Sequence, residues 1–184
     1  CGAITGRMTH SDPNVGQVPS KGRGKRLREC WRAKEGYKLV GCDADGLELR
    51  CLAHYMQDDA YSKAVCFGKK EDGSDAHTKN KIAAGLADRD TAKTFIYAFL
   101  YGAGGGKIAA IADLNSDEAG NALKQKFLRR TPALKALIAR VKKAARKGYL
   151  VAIDGRKVYV RALYAALNTL LQSAGAILMK QALV

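Results

Sequence analysis

The sequence predicts a mixed α/β (α+β) chain in which helices predominate and the strands are antiparallel. Three observations carry that expectation. Arg89 to Leu100 is a run of helix formers stopped by Gly102, with Arg89, Lys93, Tyr97 and Tyr101 recurring every four residues along one side. Thr131-Pro132 is a helix start, with proline at the first helical position, and the helix it opens is expected to reach Gly148. Asp154-Gly155, between the runs 149–153 and 156–160, is a strong hairpin signal.

The remaining elements follow in chain order. Residues 1–20 hold turn formers, and 21–28, with five cations in eight, reads as a flexible basic loop. Tyr37 to Cys42 reads as a buried strand running into Asp43, and Gly46 precedes a helix over Leu47–Met56. Residues 57–75 look loop-rich, and a short helix is expected from His77 to Leu86. Asp88 is a fitting N-cap for the helix with the four-residue row, and 102–106, Gly-Ala-Gly-Gly-Gly, reads as a hinge-like break. Residues 107–130 suggest two short helices, the second capped by Ser116 with Asp117 and Glu118 in its first turn. Leu134, Leu137, Ile138 and Val141 form the apolar face of the helix after Pro132, and a last helix runs from about Ala165.

The 184 residues carry 32 Lys and Arg against 17 Asp and Glu, a net charge of +15. With 47% hydrophobic residues this is a folded cationic surface, not a disordered basic tail, and the usual partner of such a surface is nucleic acid. Solvated lysine faces are the alternative, for residues 21–28 as for Lys135, Arg140, Lys142, Lys143, Arg146 and Lys147 on the helix after Pro132. The five cysteines (Cys1, Cys30, Cys42, Cys51 and Cys66) form no CxxC pair and lack zinc spacing, so reduced thiols are expected. The sequence has no 18-residue apolar run and no signal-peptide pattern, and no membrane partner is expected. Residue 1 is Cys and Val184 falls inside an apolar helical pattern, so a piece of a longer protein is expected.

At about 1.5 Å per residue the row from Arg89 to Tyr101 spans roughly 18 Å. Two cations followed by two phenols suit a ligand with a polyphosphate at one end and a ring at the other, such as a nucleoside triphosphate. Gly104-Gly105-Gly106-Lys107 is not a phosphate loop: Tyr101 stands where the pattern needs Gly, Ile108 stands where it needs Ser or Thr, and the run follows a helix. Asp43 at a strand end, with the backbone carbonyl beside it, could hold Mg²⁺ against phosphates or cap the next helix. Asp45 is the other candidate cap, and Glu48 falls in that helix's first turn. His77 precedes the cationic helix; a lone His is more often structural. Tyr164, Asn168 and Gln172 form another four-residue row near Gly175, suited to minor-groove contact or to capping the core.

Taken together, these segments resemble DNA polymerase family A, most of all its T7-like bacteriophage branch. Thr5-Gly6-Arg7-Met8-Thr9-His10 and Pro13-Asn14 through Gln17-Val18-Pro19-Ser20 resemble the family's motif at the primer–template. The run Asp43 to Arg50 resembles motif A, Arg89 to Gly102 resembles motif B on the fingers, and Asp154-Gly155-Arg156 with Asn168 to Gly175 resembles the downstream palm segment.

The resemblance implies a right-hand palm of antiparallel strands with helical fingers: palm over 1–56, fingers over 57–147, palm again over 148–184. It implies template-directed DNA synthesis from deoxynucleoside triphosphates on a primer–template, with two Mg²⁺ ions, Mn²⁺ being an alternative. By position, Asp43 and the Ala44 carbonyl would bind metal, and Glu48 would exclude a ribose 2′-hydroxyl. Arg89, Lys93 and His77 would hold the triphosphate. Tyr97 would pack at the sugar and base, and Tyr101 would sit at the templating position. Arg7, Tyr164, Asn168 and Gln172 would touch DNA. A phage-encoded enzyme would work in the bacterial host cytoplasm, and a processivity factor would dock on regions outside this sequence.

Three departures matter. Asp45 replaces a small Ser of the phage relatives and is expected to point away from the metals. Tyr164 replaces His. The His-Asp-Glu motif that supplies a second metal carboxylate is not in the 184 residues, so the chain alone is expected to be inactive. Two alternatives compete: a single-subunit RNA polymerase, which Glu48 opposes, and a non-catalytic basic DNA-binding module, which explains the charge but not Asp43, Glu48 and the four-residue row together.

Overall fold

A computed structural model describes residues 2–12, 14–19 and 21–183. Pro13 and Ser20 of the N-terminal motif, and Cys1 and Val184, lie outside the described residues. The elements are α1 (Arg23–Arg28), α2 (Leu47–Met56), α3 (Asp59–Phe67), α4 (Ala76–Ala84), α5 (Arg89–Leu100), α6 (Gly105–Ile111), α7 (Asp117–Arg130), α8 (Pro132–Ala145), β1 (Tyr149–Val151), β2 (Lys157–Tyr159) and α9 (Ala166–Gln181), with 3₁₀ turns at Val15–Gln17 and Leu163–Ala165. The α+β expectation holds, with most of the chain helical and β1 and β2 forming one antiparallel sheet.

Local chemistry accounts for most helix starts. Asp58, Asp75, Asp88 and Ser116 each accept a hydrogen bond from a backbone amide in the first turn of the helix they precede. Thr131 does not: its hydroxyl donates back to the Phe127 carbonyl at 2.7 Å, and Pro132 alone fixes the start of α8.

Four expectations fail, each for a physical reason. Residues 37–42 form no strand among the described residues. Their β-branched and aromatic content has no ladder partner, and Leu39 and Val40 are 69% and 93% exposed. Residues 57–75 contain α3, whose Asp58 cap and Tyr61/Ala64 spacing were outweighed in the sequence by the flanking glycines. Residues 23–28 are helical rather than a loop; the Arg28 guanidinium ties the end of α1 to the Val18 carbonyl at 2.8 Å. Finally, 102–106 is no hinge. Tyr101 and Gly102 make a turn, Gly104 caps the next helix, and Gly105 opens that helix, which packs against α7.

That helix pair is built on glycine. A Cβ on Gly120 would collide with the Gly105 carbonyl oxygen and come within 2.9 Å of the Ala109 amide nitrogen. Backbone cannot give way as a side-chain tip can. Gly120→Ala is therefore expected to cost about 1–3 kcal/mol of stability, at the high end, as read by urea unfolding. Unchanged stability would mean that α6 and α7 do not approach so closely.

The hairpin pairs Tyr149 with Tyr159 and Val151 with Lys157. Its loop is Ile153-Asp154-Gly155, one residue longer than an Asp-Gly turn: Ala152 still pairs with Arg156, and Gly155 takes φ +84°. Leu150 and Val158 face inward, while Lys147 and Lys157 lie 4.6 and 4.9 Å from the Tyr149 ring centroid.

One core of buried residues runs from Leu49 and Leu52 on α2, through Phe95, Ile96 and Leu100 on α5 and Phe127 on α7, to Leu134 and Leu137 on α8 and Leu167 to Leu171 on α9. The rings of Phe95 and Phe99 meet Phe127 edge-on, at 5.1 and 5.4 Å between centroids. This wedge seats the back of α5 and leaves its polar row facing outward. Among the described residues no helix is long and apolar enough to cross a membrane.

Candidate nucleotide and DNA site

A cleft of about 450 Å³ lies where α2, α5 and α9 converge with the N-terminal segment. Its walls include Arg7, Asp43, Ala44, Glu48, Tyr97 and Gln172. Sequence positions as far apart as 7 and 172 thus share one concavity. Gly46, in the left-handed region at φ +59°, starts α2, so neither Asp43 nor Asp45 caps it. Asp43 is exposed, and its carboxylate is not taken up by the helix. Glu48 is half-buried in the first turn of α2.

The row on α5 leaves the cleft from Tyr97 outward. Lys93 is exposed and makes no hydrogen bond or ion pair among the described residues. Arg89 is held by Asp75, its Nη2 lying 3.0 Å from Oδ1. The His77 ring packs beside Tyr97, with ring centroids 6.2 Å apart at 49°. Burial, reinforced by the charges of Arg89 and Lys93, pushes the His77 imidazole below its ordinary pKa, so it is neutral at neutral pH; its Nδ1 is buried with no hydrogen-bond partner among the described residues. Burial, then Glu48 and Asp45, pushes the Tyr97 phenol up. The charge of Asp45 acts on both Tyr97 and His77, and its carbonyl accepts from Arg50 Nε at 2.8 Å.

At the other end of α5, the Tyr101 hydroxyl accepts from Gln172 Nε2 at 3.0 Å, joining α5 to α9. Asn168 is half-buried one turn before Gln172. Tyr164, 70% exposed, lines a separate cleft with Gly102 and Lys124, so the structure divides the Tyr164–Asn168–Gln172 row between two surfaces. Arg7 belongs to a segment folded back by a bridge between Gly2 and Met8. A Cβ on the adjacent Gly6 would come within 2.7 Å of the Arg156 guanidinium, which places that hairpin side chain against the segment.

Sequence reasoning missed two contributors. Asp75 is one; its position two residues before His77 is the pattern of an N-cap, and that signal was readable. Lys180, on the cleft wall two turns beyond Gln172 on α9, is the other. As for metal, carboxylate and carbonyl oxygens suit a hard cation, and Asp43 with the Ala44 carbonyl fits Mg²⁺ in donor type. Among the described residues no group of three or more His, Cys, Asp or Glu side chains is arranged to hold an ion, so these two donors are a partial set.

The family model described as DNA polymerase family A matches residues 1–184. The chain belongs to DNA polymerase family A. It is 42% identical over 97% of its length to the DNA-directed DNA polymerase of Escherichia phage T7, and equally to that of Enterobacteria phage T3. It is 30% identical over 92% of its length to the thermostable DNA polymerase I of Thermus aquaticus. The chain spans 28% of the length of the two phage relatives and 21% of the Thermus one. Its fold is similar to the POL domain of a polymerase from M. smegmatis, solved with DNA primer-template and dNTP: TM-score 0.76, 24% identity, covering 97% of this chain and 34% of that one. The family A fold thus accounts for the helical layer on a small antiparallel sheet.

Proposed function

We propose that the chain is the palm and fingers portion of a template-directed DNA polymerase, adding deoxynucleotides to a primer 3′-hydroxyl with release of pyrophosphate. The observation that carries this reading is the cleft itself. It joins Asp43, Glu48 and Tyr97, and the same helix face then presents Lys93 and Arg89 beyond its rim. The division into palm (1–56), fingers (57–147) and palm (148–184) belongs to the same proposal, with α5 as the fingers helix.

Each residue has a role in this reading. Lys93 and Arg89 take the triphosphate, and neutral His77 offers a hydrogen bond without a third positive charge. Tyr97 backs the sugar and base. Glu48 fills the space that a 2′-hydroxyl would need. Tyr101 and Gln172 meet the template and the minor groove, and Arg7 and Asn168 complete the DNA contact; Tyr164 would reach DNA from the adjacent cleft. Asp43 and the Ala44 carbonyl would hold Mg²⁺, or Mn²⁺, which would neutralise phosphate charge as the α-phosphorus is attacked. Because the described donors are a partial set, the 184 residues alone are expected to bind nucleotide and DNA without measurable primer extension. The named phage relatives make a bacterial host cytoplasm the expected setting.

Glu48→Ala separates this reading from an RNA polymerase. With primer–template present, the chain is expected to prefer dATP over ATP, and Glu48→Ala to erode that preference by at least about tenfold. Unchanged sugar selectivity in competition binding would remove Glu48 as the gate.

A further inference from the structure

Asp75 is only 7% exposed. Its Oδ1 accepts from the His77 amide at 2.9 Å and from Arg89 Nη2 at 3.0 Å, and its Oδ2 accepts from the Thr78 hydroxyl at 2.6 Å. Arg89 Nε lies 3.2 and 3.3 Å from the two oxygens. One carboxylate therefore caps α4 and grips the first side chain of α5. Burial works to raise its pKa, but Arg89, Thr78 and the His77 amide outweigh burial and bring it to about 2, so it is ionised at neutral pH.

The grip is incomplete in an informative way. Nε and Nη2 are engaged, whereas Nη1 has only Asp90 at 4.0 Å, a side chain 91% exposed. A guanidinium is planar, so fixing two nitrogens fixes the direction of the third. The same carboxylate holds the backbone of His77, the other residue on this side of Tyr97.

Resting on the reading of α5 as the nucleotide helix, we propose that Asp75 is a positioning residue for triphosphate binding: it fixes the plane of the Arg89 guanidinium, whose Nη1 meets only the exposed Asp90 carboxylate at 4.0 Å, and sets His77 beside it, so both close on one phosphate chain. A side chain already held needs no ordering when the ligand arrives, which is where affinity is gained.

The test is binding of fluorescent dATP with Mg²⁺ and primer–template to wild type, Asp75→Asn, Thr78→Val, Arg89→Ala and the Asp75→Asn/Arg89→Ala double variant. Asn keeps an acceptor for the α4 cap but loses the charge that orients Arg89. Asp75→Asn is expected to weaken dATP about tenfold while leaving primer–template affinity within about twofold. Thr78→Val, which loosens the cap but not Arg89, is expected to stay within about twofold for dATP. In the Arg89→Ala background, Asp75→Asn is expected to add no further loss. Unchanged dATP affinity in Asp75→Asn, an equal loss in Thr78→Val, or additive losses in the double variant would each overturn the inference alone. Failure of wild type to bind dATP would overturn both it and the function it rests on.

Discussion

Phe127→Ala is expected to lower the unfolding free energy by about 3–5 kcal/mol, measured by urea denaturation followed by circular dichroism. Phe127 is fully buried and meets Phe95 and Phe99 edge-on. Truncation removes its transfer energy, its ring contacts and the wedge between α5 and α7, and the surrounding helices cannot collapse into the space. The consequence reaches function, because Phe95 and Phe99 occupy the back of the helix whose front carries Lys93 and Tyr97. A loss under about 1 kcal/mol would mean that α7 is not seated against α5 as described.

Lys93→Ala is expected to leave stability nearly unchanged and to weaken deoxynucleoside triphosphate binding roughly 10- to 150-fold, the range for about 1.5–3 kcal/mol of a hydrogen bond to a charged group. The asymmetry follows from its surroundings. Lys93 is exposed and has no ion-pair partner among the described residues, so removing it exposes nothing and strands nothing. Arg89 differs, because its removal would leave the buried Asp75 carboxylate without its cationic partner and would lower stability as well as nucleotide binding. A non-catalytic DNA-binding module predicts another outcome for Lys93→Ala: slightly weaker DNA binding and no nucleotide effect. Titration of labelled nucleotide and of labelled primer–template on the same variant separates the two.

How much of this was readable beforehand depends on whether the cause is local. The caps at Asp88 and Ser116, proline at the start of α8, the four-residue row on α5 and the Asp154–Gly155 turn are set by neighbours a few residues away, and each appears at its place. Residues 37–42 carry the pattern of a strand, but the pattern does not supply its partner, and no strand forms there among the described residues. α3 is weakly marked in the sequence, because Asp58, Tyr61 and Ala64 make a helix only when that face finds the core. The site divides in the same way. Arg7, Asp43, Ala44, Glu48, Tyr97 and Gln172 share one cleft, whereas the placement of Tyr164 on a second cleft depends on where the 3₁₀ turn before α9 falls beside α5, α7 and α8. The Asp75–Arg89 pair, 14 residues apart on two helices, had no signal beyond the cap pattern of Asp75.

In the proposed function, this cleft selects a nucleotide by reading a template. That selection is tested most directly by the affinity of labelled dATP, with Mg²⁺, for the chain bound to primer–templates that differ only in the templating base. Binding is expected to be tighter opposite thymine than opposite the other three bases, and weaker still without DNA. Binding that is indifferent to the templating base, or DNA binding with no nucleotide binding at all, would contradict it.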